Sequence, residues 1–359
     1  MIRVLHLVAG SGDVLVWVGD RRGVEMVSRR IGRGGDYRSI VDAGLAMRFR
    51  DSAQADLIHA WDGQGLVAAA MAGKPVVFSP AAWTPANLRR AAWVMRWRPI
   101  DVVCATEAER DACLSYGIPA ARCHVIRPGV SMAAVEQQRR EELRGRLGIG
   151  REDFVLLAPG ESSYASDHRL AVHVASILHV LNRTFRVLLL GRGPQAASAT
   201  ELGRRLDQPR VVIRADQVLG DRVEFEEVAP AADVALVTAR QIAPVMPWAM
   251  CMAAGLPIVS ADGRQAREVF ADAAASVESP GPRTLANRVL ALSEDPAQAR
   301  CLGQMAAMRA KELFGRERFI DEYHALYALL CQSESATERQ VQRGSELSRI
   351  TVTGPSLTR

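Results

Sequence analysis

The side chains best suited to chemistry stand where apolar runs end. In HAWDGQG, His59 and Asp62 close the short run that begins at Leu57. A carboxylate at a strand end facing a cleft could take a proton from a bound hydroxyl. Asp62 could equally cap the helix that starts at Gly65, because Asp accepts from the free N–H groups of a first helical turn. Gly191-Arg192-Gly193-Pro194 follows the run VLLLG. Its glycines suit either a loop that offers Arg192 to a phosphate or a tight strand-to-helix turn. His168, His173 and His179 are spaced five and six apart. Metal-binding histidines four apart share a helix face; these do not, so no metal is expected there. In NLRRAAWVMRWRP, Arg89, Arg90, Arg96 and Arg98 interleave with Trp93 and Trp97. Arg89, Trp93 and Trp97 share a helical face. That face suits an anionic membrane surface, or an ordinary helix with its tryptophans packed inward.

Short apolar, β-branched runs alternate with helical stretches and must position these residues. Strands are expected at Val4–Val8, Val14–Val18, Leu57–Ala60, Pro75–Ser79, Val102–Ala105 and His124–Ile126. A second set is expected at Phe154–Ala158, Phe185–Leu190, Val211–Arg214, Val223–Phe225, Val234–Val237 and Pro257–Ser260. Near-continuous apolar strands separated by helices imply parallel sheets covered on both faces, here two doubly wound α/β domains. The boundary is expected near residues 132–152, a polar helix-forming stretch interrupted by glycines. It divides a domain at 1–140 from one at 151–330 that ends in closing helices. Residues 332–359 carry few large apolar side chains and are expected to be disordered.

Composition is consistent with this. The 359 residues are 48% hydrophobic and 24% charged, as in soluble two-domain proteins. A net charge of +5 is compatible with phosphorylated ligands or anionic lipid. No nucleic-acid-binding motif is present, so no nucleic-acid partner is expected. Six cysteines without a C-x-x-C pair argue against a disulfide framework or zinc site. No signal-like or membrane-spanning run is found, and a cytoplasmic location is expected.

Several segments resemble family-4 glycosyltransferases. They are ADLIHAWD (55–62), KPVVFSP (74–80), VVCATEAERDACLSYGIPAARCHVIRPGV (102–130), DRVEFEEV (221–228), AADVALVTARQIAPVMPWAMCMAAGLPIVSADGRQAREVF (231–270) and DEYHALYALL (321–330). The resemblance implies the GT-B fold, two Rossmann-like domains facing a cleft. It also implies retaining transfer from a nucleotide-diphospho-sugar, without a metal, to a glycan or lipid-linked acceptor. Members hold the diphosphate with an Arg and a Lys and the sugar and ribose hydroxyls with two Glu eight residues apart.

This chain departs from that pattern. Its donor-site positions by resemblance are Gly160, Glu161, Ser166, Gly191, Arg192, Ile242, Met250 and Glu268. Glu161 and Ser166 stand at the Arg and Lys positions, and Ile242 and Met250 at the two Glu positions. A carboxylate beside a diphosphate would repel it. Arg192, Arg214 and Arg240 are the candidate substitutes. The first domain reads as trimmed, with LHLVAGSGDVLVWVGD passing between strands through Gly10, Ser11 and Gly12, and Ala81 stands near the family's first-domain His. No G-x-G-x-x-G follows a first strand, which disfavours a dinucleotide-dependent oxidoreductase. Two readings remain: a divergent or inactive glycosyltransferase, and a non-catalytic glycan-, lipid- or partner-binding protein on the same fold. On either, the basic aromatic stretch is a candidate contact with the inner membrane face.

Overall fold

In the computed structural model the described residues are 2–8, 24–30, 55–131, 137–181, 184–206, 208, 210–220, 223 and 225–332. Two sheets are built around inner aliphatic strands buried on both faces. The first holds β1 (Ile2–Val8), β2 (Val24–Arg30), β3 (Leu57–Ala60), β4 (Val76–Phe78), β5 (Asp101–Cys104) and β6 (Cys123–Val125), in the order β2-β1-β3-β4-β5-β6. The second holds β7 (Phe154–Leu157), β8 (Phe185–Leu189), β9 (Val212–Arg214), β10 (Val234–Val237), β11 (Ile258–Ala261) and β12 (Ala275–Val277), in the order β12-β11-β10-β7-β8-β9. Every pairing among them is parallel. Strand order therefore reverses between β1 and β3 and between β7 and β10, and open α/β sheets bind ligands at the carboxyl ends of such switch points.

Helices α1 (Gly63–Ala70), α2 (Pro85–Met95) and α3 (Glu107–Ser115) follow β3, β4 and β5. Each starts on a polar cap, Asp62, Thr84 or Thr106, whose oxygen accepts from an N–H of the first turn. Next come α4 (Gln137–Arg146), α5 (His168–Leu181), α6 (Ala196–Arg205), α7 (Ala215–Leu219) and α8 (Phe225–Val228). The second domain continues through α9 (Met246–Ala253), α10 (Arg264–Phe270), α11 (Pro282–Glu294) and α12 (Pro296–Leu313), and α13 covers 316–332.

The expected strands match the observed ones closely, with two differences. Val14–Val18 lies outside the described residues, and the observed neighbour of β1 is β2, in register from Ile2↔Val24 to Val8↔Arg30. The connection 9–23, with the passage through Gly10, Ser11 and Gly12, also lies outside the described residues. Val223–Phe225 is not a strand. Phe225 and Val228 are buried three apart on a short helix whose first turn carries Glu226 and Glu227. The three-residue β12 was not foreseen.

Packing also moves the domain boundary. Leu143, Leu147 and Ile149 join the core of the second domain. Arg140 and Arg144 on α4 both reach Asp233 and donate to the carbonyls of Pro230, Ala231 and Ala232. Thus α4 belongs to the second unit, although it falls partly within 1–140. The closing helix returns to the first: Phe319, Ile320, Tyr323, Leu326, Tyr327 and Leu330 pack on Val4, Leu57, Val77, Val103 and Ile126. The unit 151–330 is therefore not self-contained. Of the expected tail, residues 333–359 lie outside the described residues.

Candidate functional site

On the first domain, the two-residue strand period puts His6 and His59 side by side in register, one layer above Val4 and Leu57. His59 Nδ1 meets the Tyr327 hydroxyl at 2.6 Å, and its Nε2 meets Ser79 Oγ at 2.8 Å. Tyr323 donates to the same Ser79 oxygen at 3.0 Å. The Trp61 indole stacks on His59, with centroids 4.0 Å apart, and its N–H donates to His6 Nδ1 at 3.0 Å. Burial lowers His6 to about 3. Burial, with His6 adding, takes His59 well below its ordinary range, so both rings are neutral at pH 7. This buried layer holds Trp61 rather than moving protons.

Trp61 opens onto a cleft of about 510 Å³ with Asp62, Gly63, Gln64, Ala81, Ala82, Asn87 and Arg90. Asp62 Oδ1 accepts from the N–H groups of Gln64 and Gly65, both at 2.9 Å. Its capping role is therefore realised, two residues earlier than expected, on a helix beginning at Gly63. Ala81 does line this cleft. His6, Trp61 and Tyr327 went unremarked in the sequence; the only local signal was the repeated His two residues before an apolar or aromatic neighbour.

On the second domain, the loop after β7 carries Gly160 at φ +82, a conformation that favours glycine, and a Cβ there would lie 2.9 Å from Pro247 Cγ. Ser166 Oγ donates to the Glu161 carbonyl at 2.8 Å, and Thr238 Oγ1 at the end of β10 donates to the Ser166 and Asp167 carbonyls. Both sides of the switch point are thereby tied together. The Glu161 carboxylate lies 3.8 Å from Arg192 Nε and remains 61% exposed. Arg214 is engaged with Asp216 and with the Gly191 carbonyl. Gly191 itself must be glycine: φ is +91, and a Cβ would collide with the Asp216 carboxylate. Arg240 donates to the Pro280 carbonyl at 2.6 Å.

Ile242, at the first Glu position, packs against the core of the first domain. Met250, at the second, packs against the core of its own. His168 is buried between Ser162 Oγ and the Pro159 carbonyl, and burial lowers it to about 4. His179 lies apart, beside Arg186 and the Phe185 carbonyl. Among the described residues no group of three or more His, Cys, Asp or Glu could hold a metal.

Between the domains, α10 clasps α3. Arg264 pairs with Asp111. Gln265 Nε2 reaches Thr106 Oγ1 at 3.4 Å and Glu109 Oε1 at 3.3 Å. Glu268 accepts from the N–H groups of Glu107 at 2.9 Å and Ala108 at 3.2 Å, and from Arg127 at 3.2 Å. It caps a helix, but the helix of the other domain. Burial pushes the Glu109 carboxyl up to about 7; the Ala105 N–H at 2.6 Å opposes, Glu268 adds to the rise, and the Gln265 amide opposes.

Two parallel sheets with facing switch points, joined by a helix that crosses back, define the GT-B architecture. Residues 6–134 match the profile of glycosyltransferase family 4. The chain is 27% identical over 242 residues to a D-inositol 3-phosphate glycosyltransferase of Catenulispora acidiphila, covering 63% of this chain and 56% of that protein. It is 30% identical over 232 residues to the Kineococcus radiotolerans enzyme of that name, covering 58% of this chain and 53% of that protein. It thus spans about half the length of the curated relatives it matches. Among solved structures, Anabaena Alr3699/HepE in complex with UDP and glucose superposes with a TM-score of 0.73 at 17% identity, over 92% of this chain and all of that one. Sucrose-phosphate synthase of Thermosynechococcus elongatus does so with a TM-score of 0.73 at 14% identity, over 93% and 100%. The chain thus has the GT-B fold, and its residues 6–134 carry the match to glycosyltransferase family 4.

Proposed function

We propose that the chain moves a sugar, with retention, from a nucleotide-diphospho-sugar to an acceptor held on the first domain, through a donor site rebuilt around Arg192. The observation that supports this most is the loose Glu161–Arg192 pair on the loops after β7 and β8. A diphosphate entering there can displace the exposed carboxylate and take its place beside the guanidinium, a stronger bidentate partner. Fixed cations then carry the charge that develops on the leaving phosphate, a role that needs no metal. The similarity to a chain complexed with UDP and glucose is in keeping with this donor class.

Thermal shift with UDP and UDP-glucose tests the reading. A donor at one hundred times its dissociation constant adds about 2.7 kcal/mol of stability. Transfer or slow hydrolysis of UDP-glucose, lost in Arg192→Ala and unaffected by EDTA, is the expected result. Silence with every nucleotide sugar sinks it. The alternative, a glycan- or partner-binding protein without donor chemistry, has less support, since the comparisons match glycosyltransferases. Binding of a glycan with no nucleotide response is the outcome that would select it.

The basic aromatic surface formed by α2 and the turn after it, which carries Arg96 and Trp97, completes the proposal. Trp93 and Trp97 are 51% and 48% exposed rather than packed inward, and Arg89 and Arg96 are exposed beside them. Among the described residues no helix is long and apolar enough to cross a membrane. We take this face as a contact with anionic lipid at the inner membrane surface, within reach of a lipid-linked acceptor.

A further inference from the structure

The cleft at the carboxyl ends of β3 and β4 holds a cation that nothing above has used. We propose that it binds a sugar carrying an anionic group, with Trp61 as the wall for the ring and Arg90 as the reader of the charge. As an acceptor site this deepens the glycosyltransferase reading and rests on it; as a binding site it stands alone.

Arg90 makes no hydrogen bond or ion pair with any described residue. Its end is nonetheless placed: it lies over the start of α1, where a Cβ built on Gly63 would be 2.4 Å from Arg90 Nη1 and 3.1 Å from Asn87 Oδ1. The guanidinium and the Asn87 amide therefore converge above one glycine. Asn87 is fixed by its own bond to the Ala82 carbonyl at 2.8 Å. The carboxylate nearest in sequence, Asp62, has Oδ1 committed to the first turn of α1. A guanidinium with no bonded counter-charge in a concave site is a receptor for carboxylate or phosphate oxygens.

The opposite wall is preorganised for a ring. Trp61 has one face against His59 and its N–H on His6 Nδ1. Its orientation is set before any ligand arrives, so little entropy is lost on binding. Gln64 and Asn87 add amide groups suited to hydroxyls. The volume, about 510 Å³, is in the range of small-molecule sites. An aromatic wall, two amides and the Arg90 cation, with the Asp62 carboxylate of the same cleft engaged on the first turn of α1, match a single charged sugar unit better than a neutral or a fully apolar ligand.

Titration calorimetry on the full chain with glucose, glucose 6-phosphate, glucuronate and inorganic phosphate tests this. At least one anionic sugar is expected to bind tenfold or more tighter than glucose. Which one does so tells phosphate from carboxylate. Arg90→Gln should bring the anionic sugars to the level of glucose at an unchanged melting temperature, and Arg90→Lys should restore part of the difference. Trp61→Leu, checked for folding by its melting temperature, should weaken the sugars and leave inorganic phosphate as it was. The inference is overturned if no anionic sugar outbinds glucose, if Arg90→Gln changes nothing, or if inorganic phosphate binds as tightly as glucose 6-phosphate. UDP-glucose stabilisation, measured on the same samples, separates the two readings. Donor binding without anionic-sugar binding rejects this site alone, and the reverse rejects donor use alone.

Discussion

Two carboxylates in this protein are defined by what surrounds them. Glu109 is buried with a folded-state value near 7 against an ordinary 4.5. Its contribution to stability is complete below pH 4.5, falls as pH rises to 7, and is constant above. The full span is on the order of 3 kcal/mol. His6 and His168 act in the opposite sense, because their lowered values cost stability as pH falls below 6.5. The two effects oppose each other between pH 4.5 and 6.5. A difference experiment separates them: the stability of Glu109→Gln relative to the parent should climb as pH rises from 4.5 to 7. A flat difference would show that Glu109 is not held protonated. Asp62 is the second carboxylate. As the cap of α1, Asp62→Ala should cost about 1 kcal/mol in urea denaturation, while Asp62→Asn should keep both stability and any transfer activity. A hundredfold loss of activity in a stable Asp62→Asn would restore it as a base.

At the scale of elements, the α10–α3 clasp is the joint between domains. Glu268 satisfies two orphan N–H groups of α3 and pairs with Arg127. Glu268→Ala should lower stability by about 1–2 kcal/mol and speed hydrogen exchange in the first turn of α3 while β11 stays protected. Unchanged exchange there would mean the clasp is not holding the helix. Strand positions such as Val234–Val237 were legible because a buried parallel strand is written as a local apolar run. The short helix at Phe225–Val228 was not, since a few apolar residues fit either period until burial decides. Of the candidate site, the apolar substitutions at Ile242 and Met250 could be read directly. The pairing of Glu161 with Arg192 could not, because it depends on which loops packing brings together.

For the whole molecule, the exposed Trp93 and Trp97 surface offers a further test. Co-sedimentation with vesicles containing anionic lipid should fall several-fold in Trp93→Ala/Trp97→Ala and with added salt, as screening weakens the arginines. Equal binding to neutral vesicles, or none to either, would remove the membrane from the account. By itself the sequence determined the two parallel-sheet domains and the likeness to family-4 glycosyltransferases, both carried by short-range patterns and residue identity. Only the tertiary structure decided that α13 closes the first domain, that Glu268 caps a helix 161 residues away, and that Arg90 has no bonded partner among the described residues of its cleft. The reason is physical. A strand's period and a missing charge are properties of neighbouring residues, whereas a cap, an ion pair or an unpaired cation is defined by what packing brings to it from afar.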